Sequence, residues 1–276
     1  MSIVVDLYAR NFLTRYDFDV AIPYFKAEDF KGLHALEDTF KNANGVDIHY
    51  FTYFYLPIRF SKTILFLPGI GPGHKAYLRA INELALNGYK VITLDYEGCG
   101  YSSGERLPSI NQPTYDVLDL LSYLKVKEEI VVVGHSLGAY TALNVINRVD
   151  SIKKAVIISG FLSPKLGMLK FVKSHLFASQ IEKYESKIHE DFIYNNFEYL
   201  KATNDKLLFI HSKDDKKVSY RANINKIKKL KNPNISFLIT NKKRHNPTYT
   251  LEAVRYKDHI IDNYLKLSSK GKFKDD

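Results

Sequence analysis

The pentapeptide GHSLG at Gly134–Gly138 constrains the fold of this chain more than any other stretch. It directly follows the apolar, β-branched run Glu129–Val133 and directly precedes the helical pattern Ala139–Val149. A strand that turns at once into a helix brings the two backbones so close that side chains at both glycines would collide. We therefore predict a strand, a strained turn and a helix, with Ser136 exposed at the apex of the turn above the edge of a sheet.

Two apolar runs further along the chain end in polar residues that can act on a serine. The strand pattern Lys206–His211 is followed by two aspartates, and the strand pattern Ile235–Thr240 is followed by His245. Open parallel sheets place their functional residues at the carboxyl ends of the strands. We therefore expect an acid and a histidine beside Ser136, with the histidine as general base and the acid orienting its ring.

The motif and the chain order serine, acid, histidine resemble those of serine hydrolases of the α/β-hydrolase superfamily, over about residues 35–265. The family pattern H-G-x-x-D-x-x-V aligns with the segment that begins at His211. The resemblance implies Asp215 as the acid, because it occupies the aspartate position of this pattern. Asp214 remains the alternative, because Ser212 stands where the family often has glycine.

The resemblance also implies an oxyanion hole built from backbone N–H groups. Pro68-Gly69 follows the apolar run Thr63–Leu67, where the family usually has His-Gly after its third strand. The two donors would be the N–H of Ile70 on this loop and the N–H of Leu137, the residue after the serine.

The order of strand and helix patterns predicts an α/β fold. Residues 34–160 and 204–267 alternate strands with helices, which indicates a mostly parallel central sheet with helices on both faces. Residues 161–203 interrupt this alternation with helical spacing, and the resemblance implies a small helical cap inserted after the sixth strand. Residues 1–33 are expected to pack on this catalytic domain as an extension, and the polar tail 268–276 is expected to be disordered.

Composition excludes several classes of protein. The net charge of +10 comes from lysines spread through the chain, and the densest cluster, Lys226–Lys231, fits a solvated helix face better than an anionic partner. Without a nucleic-acid-binding signature, nucleic acid is not an expected partner. The nine histidines lack the spacing of metal ligands, so we expect no metal and no cofactor.

The same sequence bears on location. A single cysteine, Cys99, rules out an internal disulfide framework. Charged residues interrupt the first twenty positions, and no run reaches the roughly 20 apolar residues of a membrane span. We expect a cytoplasmic protein, and the sequence leaves its oligomeric state open.

The expected function is that of a serine hydrolase that acts through an acyl-enzyme on a small molecule, an ester or thioester with an apolar acyl group. The same residues serve peptidases, amidases and acyltransferases, so these remain alternatives. A non-catalytic hydrolase fold that binds a ligand is the alternative from another class.

Overall fold

The computed structural model describes most of the chain up to His245, namely residues 2–19, 21, 23–58, 63–126, 129–189, 196–241 and 244–245. The last helix predicted after His245 and the predicted tail 268–276 lie outside the described residues. The boundaries at residues 33, 160, 203 and 267 stay predictions.

Eight strands form one sheet. They are β1 (His34–Lys41), β2 (Asp47–Phe54), β3 (Thr63–Leu67), β4 (Lys90–Leu94), β5 (Ile130–His135), β6 (Lys154–Ile158), β7 (Lys206–Ser212) and β8 (Ile235–Thr240). The strand order is β1-β2-β4-β3-β5-β6-β7-β8. The β1–β2 and β2–β4 pairs are antiparallel, and the other five pairs are parallel. The predicted mostly parallel sheet is confirmed.

Helices pack on both faces of this sheet. They are α1 (Ile3–Phe12), α2 (Leu78–Leu86), α3 (Gln112–Leu124), α4 (Leu137–Ile146), α5 (Pro164–Val172), α6 (His175–Ile188), α7 (Phe197–Ala202) and α8 (Ile224–Lys228). Alternate side chains of β5 belong to two different cores, Val131 and Val133 with α2, and Ile130 and Val132 with α3 and α4. Strands β3, β5 and β6 are buried at every position because both faces are covered.

The elbow helix begins earlier than its sequence pattern predicts. The pattern places its start at Ala139, whereas α4 begins at Leu137, directly after Ser136. The pattern treated Gly138 as part of the turn, since glycine weakens a helix, but here it lies in the first turn of α4. The free backbone N–H groups of that turn therefore begin beside the serine.

The helices between β6 and β7 pack together with the N-terminal helix. Helix α1 contacts α6, and α5 contacts α6. Tyr8 of α1 shares a core with Met168 of α5, Ile181 of α6 and Leu137 of the elbow helix. The N-terminal helix therefore lies against both the inserted helices and the sheet domain.

Two kinds of feature are absent from the part of the chain that the structure describes. None of the described helices is both long and apolar enough to cross a membrane. No group of three or more His, Cys, Asp or Glu side chains among these residues could hold a metal ion. The expected absence of a metal and of a cofactor stays a prediction.

Candidate active site

The elbow holds Ser136 in a strained backbone conformation. Its φ is 53° and its ψ is −112°. This backbone conformation is energetically unfavourable for any residue that has a Cβ. A Cβ at Gly134 would collide with the carbonyl of Gly138, and a Cβ at Gly138 would collide with the carbonyl of Leu67. Both glycines therefore have the steric role that the sequence predicted, and they force the sharp turn that presents the serine.

The structure brings together three side chains that the sequence proposed for the site. Nε2 of His245 lies 2.9 Å from Oγ of Ser136, and Nδ1 of His245 lies 2.9 Å from Oδ2 of Asp215. Asp215 follows β7 and His245 follows β8, so each projects from the carboxyl end of a parallel strand. An imidazole between a hydroxyl and a carboxylate can take the hydroxyl proton, while the carboxylate stabilises the resulting imidazolium.

The neighbouring Asp214, the alternative acid, faces a different partner. Its Oδ1 accepts a hydrogen bond of 2.5 Å from the hydroxyl of Ser212 and one of 3.1 Å from the backbone N–H of Arg244. Asp214 therefore holds the backbone just before His245, whereas Asp215 contacts the ring itself. The serine that departs from the family pattern supplies one of these hydrogen bonds.

The surroundings of Asp215 favour its ionised form. Its Oδ1 accepts hydrogen bonds of 2.8 and 2.9 Å from the backbone N–H groups of Lys217 and Val218. Burial would raise the pKa of this carboxyl, but the hydrogen bond and charge of His245, with the N–H of Val218, outweigh it and lower the pKa below its ordinary value. Asp215 is therefore ionised at neutral pH and can balance a positive charge on His245.

The two predicted oxyanion donors lie on neighbouring segments. Ile70 is on the loop after β3, Leu137 is the first residue of α4, and β3 pairs in parallel with β5. The N–H of Gly69, one residue before Ile70, donates a 3.0 Å hydrogen bond to Oη of Tyr77. This bond fixes the loop beside the elbow. Backbone N–H groups there can face the substrate oxygen that becomes negatively charged when Ser136 attacks a carbonyl carbon.

The elbow is more enclosed than the sequence indicated. Ser136 was expected to be exposed, but it is 9% exposed. Leu137 shares an apolar cluster with Phe161 and Met168 from the segment after β6, and the partly buried Ile70 packs against this cluster. Apolar side chains of that segment therefore share a cluster with the residue after the serine. The resemblance implied a cap in this segment, but periodicity could not predict which of its side chains pack at the elbow.

Sequence reasoning missed three side chains that contact the site. His211 Nε2 lies 3.4 Å from Oδ2 of Asp215, and Lys170 of α5 donates a 3.1 Å hydrogen bond to the backbone carbonyl of Asp215. His135 donates a 2.9 Å hydrogen bond from Nε2 to the backbone carbonyl of His245. Both histidines were visible as polar residues at the ends of apolar strands, a signal that could have singled them out. Lys170 gave no such signal, because its partner is distant in sequence.

Comparison with known proteins places more than half of the chain in a family. Residues 59–206, which include Ser136 but end before Asp215 and His245, match the family model described as serine aminopeptidase, S33. No curated protein sequence matches the chain.

Similar solved structures carry several chemistries on the same fold. An esterase of Pyrococcus furiosus superposes with a TM-score of 0.69 at 18% identity, covering 91% of this chain and 99% of that one. An acylaminoacyl peptidase of Pyrococcus horikoshii gives 0.67 at 15%, covering 89% of this chain and 44% of that one. A bromoperoxidase of Bacillus anthracis gives 0.60 at 16%, covering 84% and 100%. At these identities the likeness shows the fold. Together with the family match over more than half of its length, it shows that this chain belongs to the serine aminopeptidase S33 family of α/β-hydrolases.

Proposed function

We propose that the protein is a serine hydrolase that cleaves an ester or thioester with an apolar acyl group through an acyl-enzyme. The observation that carries the proposal is the continuous contact from Ser136 through His245 to Asp215, with two distances of 2.9 Å. A serine hydroxyl that touches a histidine, itself oriented by an ionised carboxylate, is the arrangement required of an activated nucleophile.

Each step of the reaction has a group in the described structure. Oγ of Ser136 attacks the carbonyl carbon while Nε2 of His245 takes the hydroxyl proton, and the N–H groups of Ile70 and Leu137 bind the oxyanion. Collapse of the tetrahedral intermediate breaks the bond to the alcohol or thiol, which receives the proton from His245. Water then attacks the acyl-enzyme with His245 again as base. The bond from the acyl carbon to Oγ of Ser136 breaks, this oxygen takes the proton back from His245, and the carboxylic acid leaves.

The surroundings of the elbow support an apolar acyl group. Phe161 and Met168 belong to the same apolar cluster as Leu137, the residue after the nucleophile, and Ile70 packs against this cluster. Apolar walls favour an acyl chain over a polar group through burial of its surface. The fold is also that of an esterase of Pyrococcus furiosus.

Peptide cleavage is the second candidate, because the family description names a serine aminopeptidase. An aminopeptidase has to hold the free ammonium group of its substrate, usually with a carboxylate. Of the two aspartates described at the site, Asp215 already binds His245 and two backbone N–H groups, and Asp214 accepts from Ser212 and Arg244. We therefore rank ester or thioester hydrolysis above amide hydrolysis.

The test is hydrolysis of p-nitrophenyl esters from acetate to palmitate by the wild type and by Ser136→Ala. We expect a chain-length optimum, and a loss of at least about 1,000-fold in kcat for the alanine variant, since the nucleophile is removed. Ser136→Ala keeps a Cβ at the strained position, so its melting temperature should match that of the wild type. If p-nitrophenyl esters are inert but a fluorophosphonate labels Ser136, the triad is active. The substrate is then an amide, a thioester, or an acyl donor whose acyl group passes to an acceptor other than water. No labelling of the wild type would overturn the proposal in favour of a ligand-binding protein.

A further inference from the structure

We propose that His135 and Tyr77 are positioning residues of this active site, which together hold the loop of the catalytic histidine against the oxyanion loop. The inference rests on the proposed function for its effect on catalysis, but the hydrogen bonds themselves do not depend on it. The N–H of Gly69 lies 3.0 Å from Oη of Tyr77, and that oxygen lies 2.8 Å from Nδ1 of His135. Nε2 of His135 then lies 2.9 Å from the backbone carbonyl oxygen of His245. We call these four groups the relay.

The direction of every hydrogen bond in the relay follows from one end. A carbonyl oxygen only accepts, so Nε2 of His135 must carry a proton. A neutral imidazole carries one ring proton, so Nδ1 must accept from the hydroxyl of Tyr77. The oxygen of Tyr77 is then free to accept from the N–H of Gly69. Each donor has one acceptor, so the relay has a single consistent arrangement.

The environment keeps both side chains in the protonation states that this arrangement requires. His135 is 5% exposed. Burial, together with the nearby charge of His245, lowers the pKa of His135 to about 3, so its ring is neutral at neutral pH. Burial raises the pKa of Tyr77 to about 12, so its hydroxyl stays a donor.

The backbone at Gly69 is shaped to fit the relay. A Cβ at this position would lie 2.7 Å from Oη of Tyr77 and 3.1 Å from Nδ1 of His135. Any larger residue would therefore push the two side chains apart. Gly69 is thus a third position of the site, after Gly134 and Gly138, that has no room for a Cβ, and it lies where the relay meets the oxyanion loop.

The relay joins two loops that the sheet does not connect. The oxyanion loop follows β3 and the loop of His245 follows β8, and three strands, β5, β6 and β7, lie between them in the sheet. His135, at the end of β5, connects the two loops through its own side chain and that of Tyr77. Ile70 follows Gly69 directly, so the relay fixes a proposed oxyanion donor and the general base relative to each other. A displacement of about 1 Å in such a geometry can cost about 100-fold in rate.

Four variants separate positioning from stability. His135→Ala removes the relay, whereas His135→Gln keeps an amide donor near the position of Nε2. Tyr77→Phe removes the hydroxyl between Gly69 and His135. The matched control is Tyr96→Phe, since Tyr96 is another buried tyrosine whose hydroxyl donates a 3.0 Å hydrogen bond to the carbonyl of Pro68 on the same loop.

The kinetic readouts are the second-order rate constant for fluorophosphonate labelling of Ser136 and, on the best p-nitrophenyl ester, kcat and KM. We expect His135→Ala to lose about 100-fold in the labelling rate and in kcat with KM changed less than about 3-fold, because the reacting groups shift while the acyl pocket stays. His135→Gln should recover at least about 10-fold of that loss, and Tyr77→Phe should lose about 5-fold more than Tyr96→Phe. The melting temperature of each variant shows whether it is folded at the temperature of the assay. Equal losses for Gln and Ala at position 135, or for the two tyrosine variants, would overturn the positioning role.

The protonation state of the His135 ring, measured by NMR, tests the relay even in a protein without activity. In Ser136→Ala labelled with ¹⁵N-histidine, we expect the His135 ring to remain neutral with its proton on Nε2 from pH 5 to pH 9. A proton on Nδ1, or titration of this ring in that range, would overturn the relay. Failure of wild-type labelling by the fluorophosphonate would instead overturn the proposed function and leave this spectrum to decide the relay.

Discussion

Two buried carboxylates in this molecule behave in opposite ways. Asp215 is 2% exposed at the edge of the sheet, and Glu185 is 0% exposed in α6. The hydrogen bond and charge of His245 lower the pKa of Asp215 in spite of its burial. Burial raises the pKa of Glu185 to about 7, and the hydrogen bonds that it accepts only partly offset this. The charge of the facing group, rather than depth alone, decides which form of a buried acid is stable.

The partners of Glu185 show what this second carboxylate does. It accepts a 2.6 Å hydrogen bond from the hydroxyl of Tyr8 on α1, a 3.3 Å hydrogen bond from the amide of Asn111, and a hydrogen bond from the hydroxyl of Ser109. These donors are neutral and come from the N-terminal helix and the segment before α3. Glu185 therefore joins three segments of the chain, whereas Asp215 serves the site.

The largest expected effect concerns the two neighbouring aspartates at the site. Asp215→Asn keeps the shape of the side chain but removes the charge opposite His245, so we expect kcat to fall about 10,000-fold. Asp214→Asn keeps an oxygen that can accept from the Ser212 hydroxyl and the Arg244 N–H, neither of which is part of the His245 ring, so we expect a loss of less than about 10-fold. Ester hydrolysis and fluorophosphonate labelling of both variants measure the difference. The reverse order would show that Asp214 is the catalytic acid.

The two carboxylates also differ in how far the sequence predicted them. Asp215 follows a buried strand in a recognisable pattern, and a parallel sheet places the ends of its strands at one edge. Local sequence features were therefore enough to predict that Asp215 lies beside His245. Glu185 lies among charged residues of a helical segment, where a charged side chain is normally exposed to solvent. Its partner Tyr8 is 177 positions away, and no local pattern encodes such a contact. The sequence thus predicted the sheet and the proximity of Ser136, Asp215 and His245. It did not predict the relay, the network around Glu185 or which side chains pack at the elbow, because these depend on packing between distant segments.

Removing the carboxylate of Glu185 should act on stability and not on chemistry. Glu185→Ala leaves the hydroxyls of Tyr8 and Ser109 without their acceptor and opens a cavity, so we expect the free energy of unfolding to fall by about 3 kcal/mol at pH 5. The matched control is Glu198→Ala on α7, because the side chain of Glu198 is 82% exposed. Urea unfolding measures both variants, and labelling per folded molecule should not change. A loss of labelling rate with unchanged stability would contradict this division between the two carboxylates.

The raised pKa of Glu185 makes part of the stability depend on pH. Because its pKa is about 7, the folded protein holds this proton well above the ordinary glutamate pKa of 4.5 that applies to the unfolded chain. The contribution is therefore complete below about pH 4.5 and is lost as the pH rises through about 7. We expect the free energy of unfolding to fall by about 2 kcal/mol more in the wild type than in Glu185→Gln between pH 5 and pH 8. Asp116, whose pKa burial raises to about 6, contributes the same slope to both proteins, so it cancels in the comparison. Parallel curves would show that Glu185 does not titrate in this range.

The smallest effect separates the hydroxyl of Tyr8 from the packing of its ring. Tyr8→Phe keeps the ring in its cluster but removes a donor that favours the ionised form of Glu185, so the pKa of Glu185 should rise further. We expect a loss of about 1 kcal/mol in the free energy of unfolding at pH 8 and a smaller loss at pH 5, where the carboxyl is protonated. Tyr184→Phe is the matched control, since its ring packs edge-on against Tyr8 with centroids 6.3 Å apart. Equal losses at both pH values would mean that the hydroxyl of Tyr8 does not favour the ionised form of Glu185.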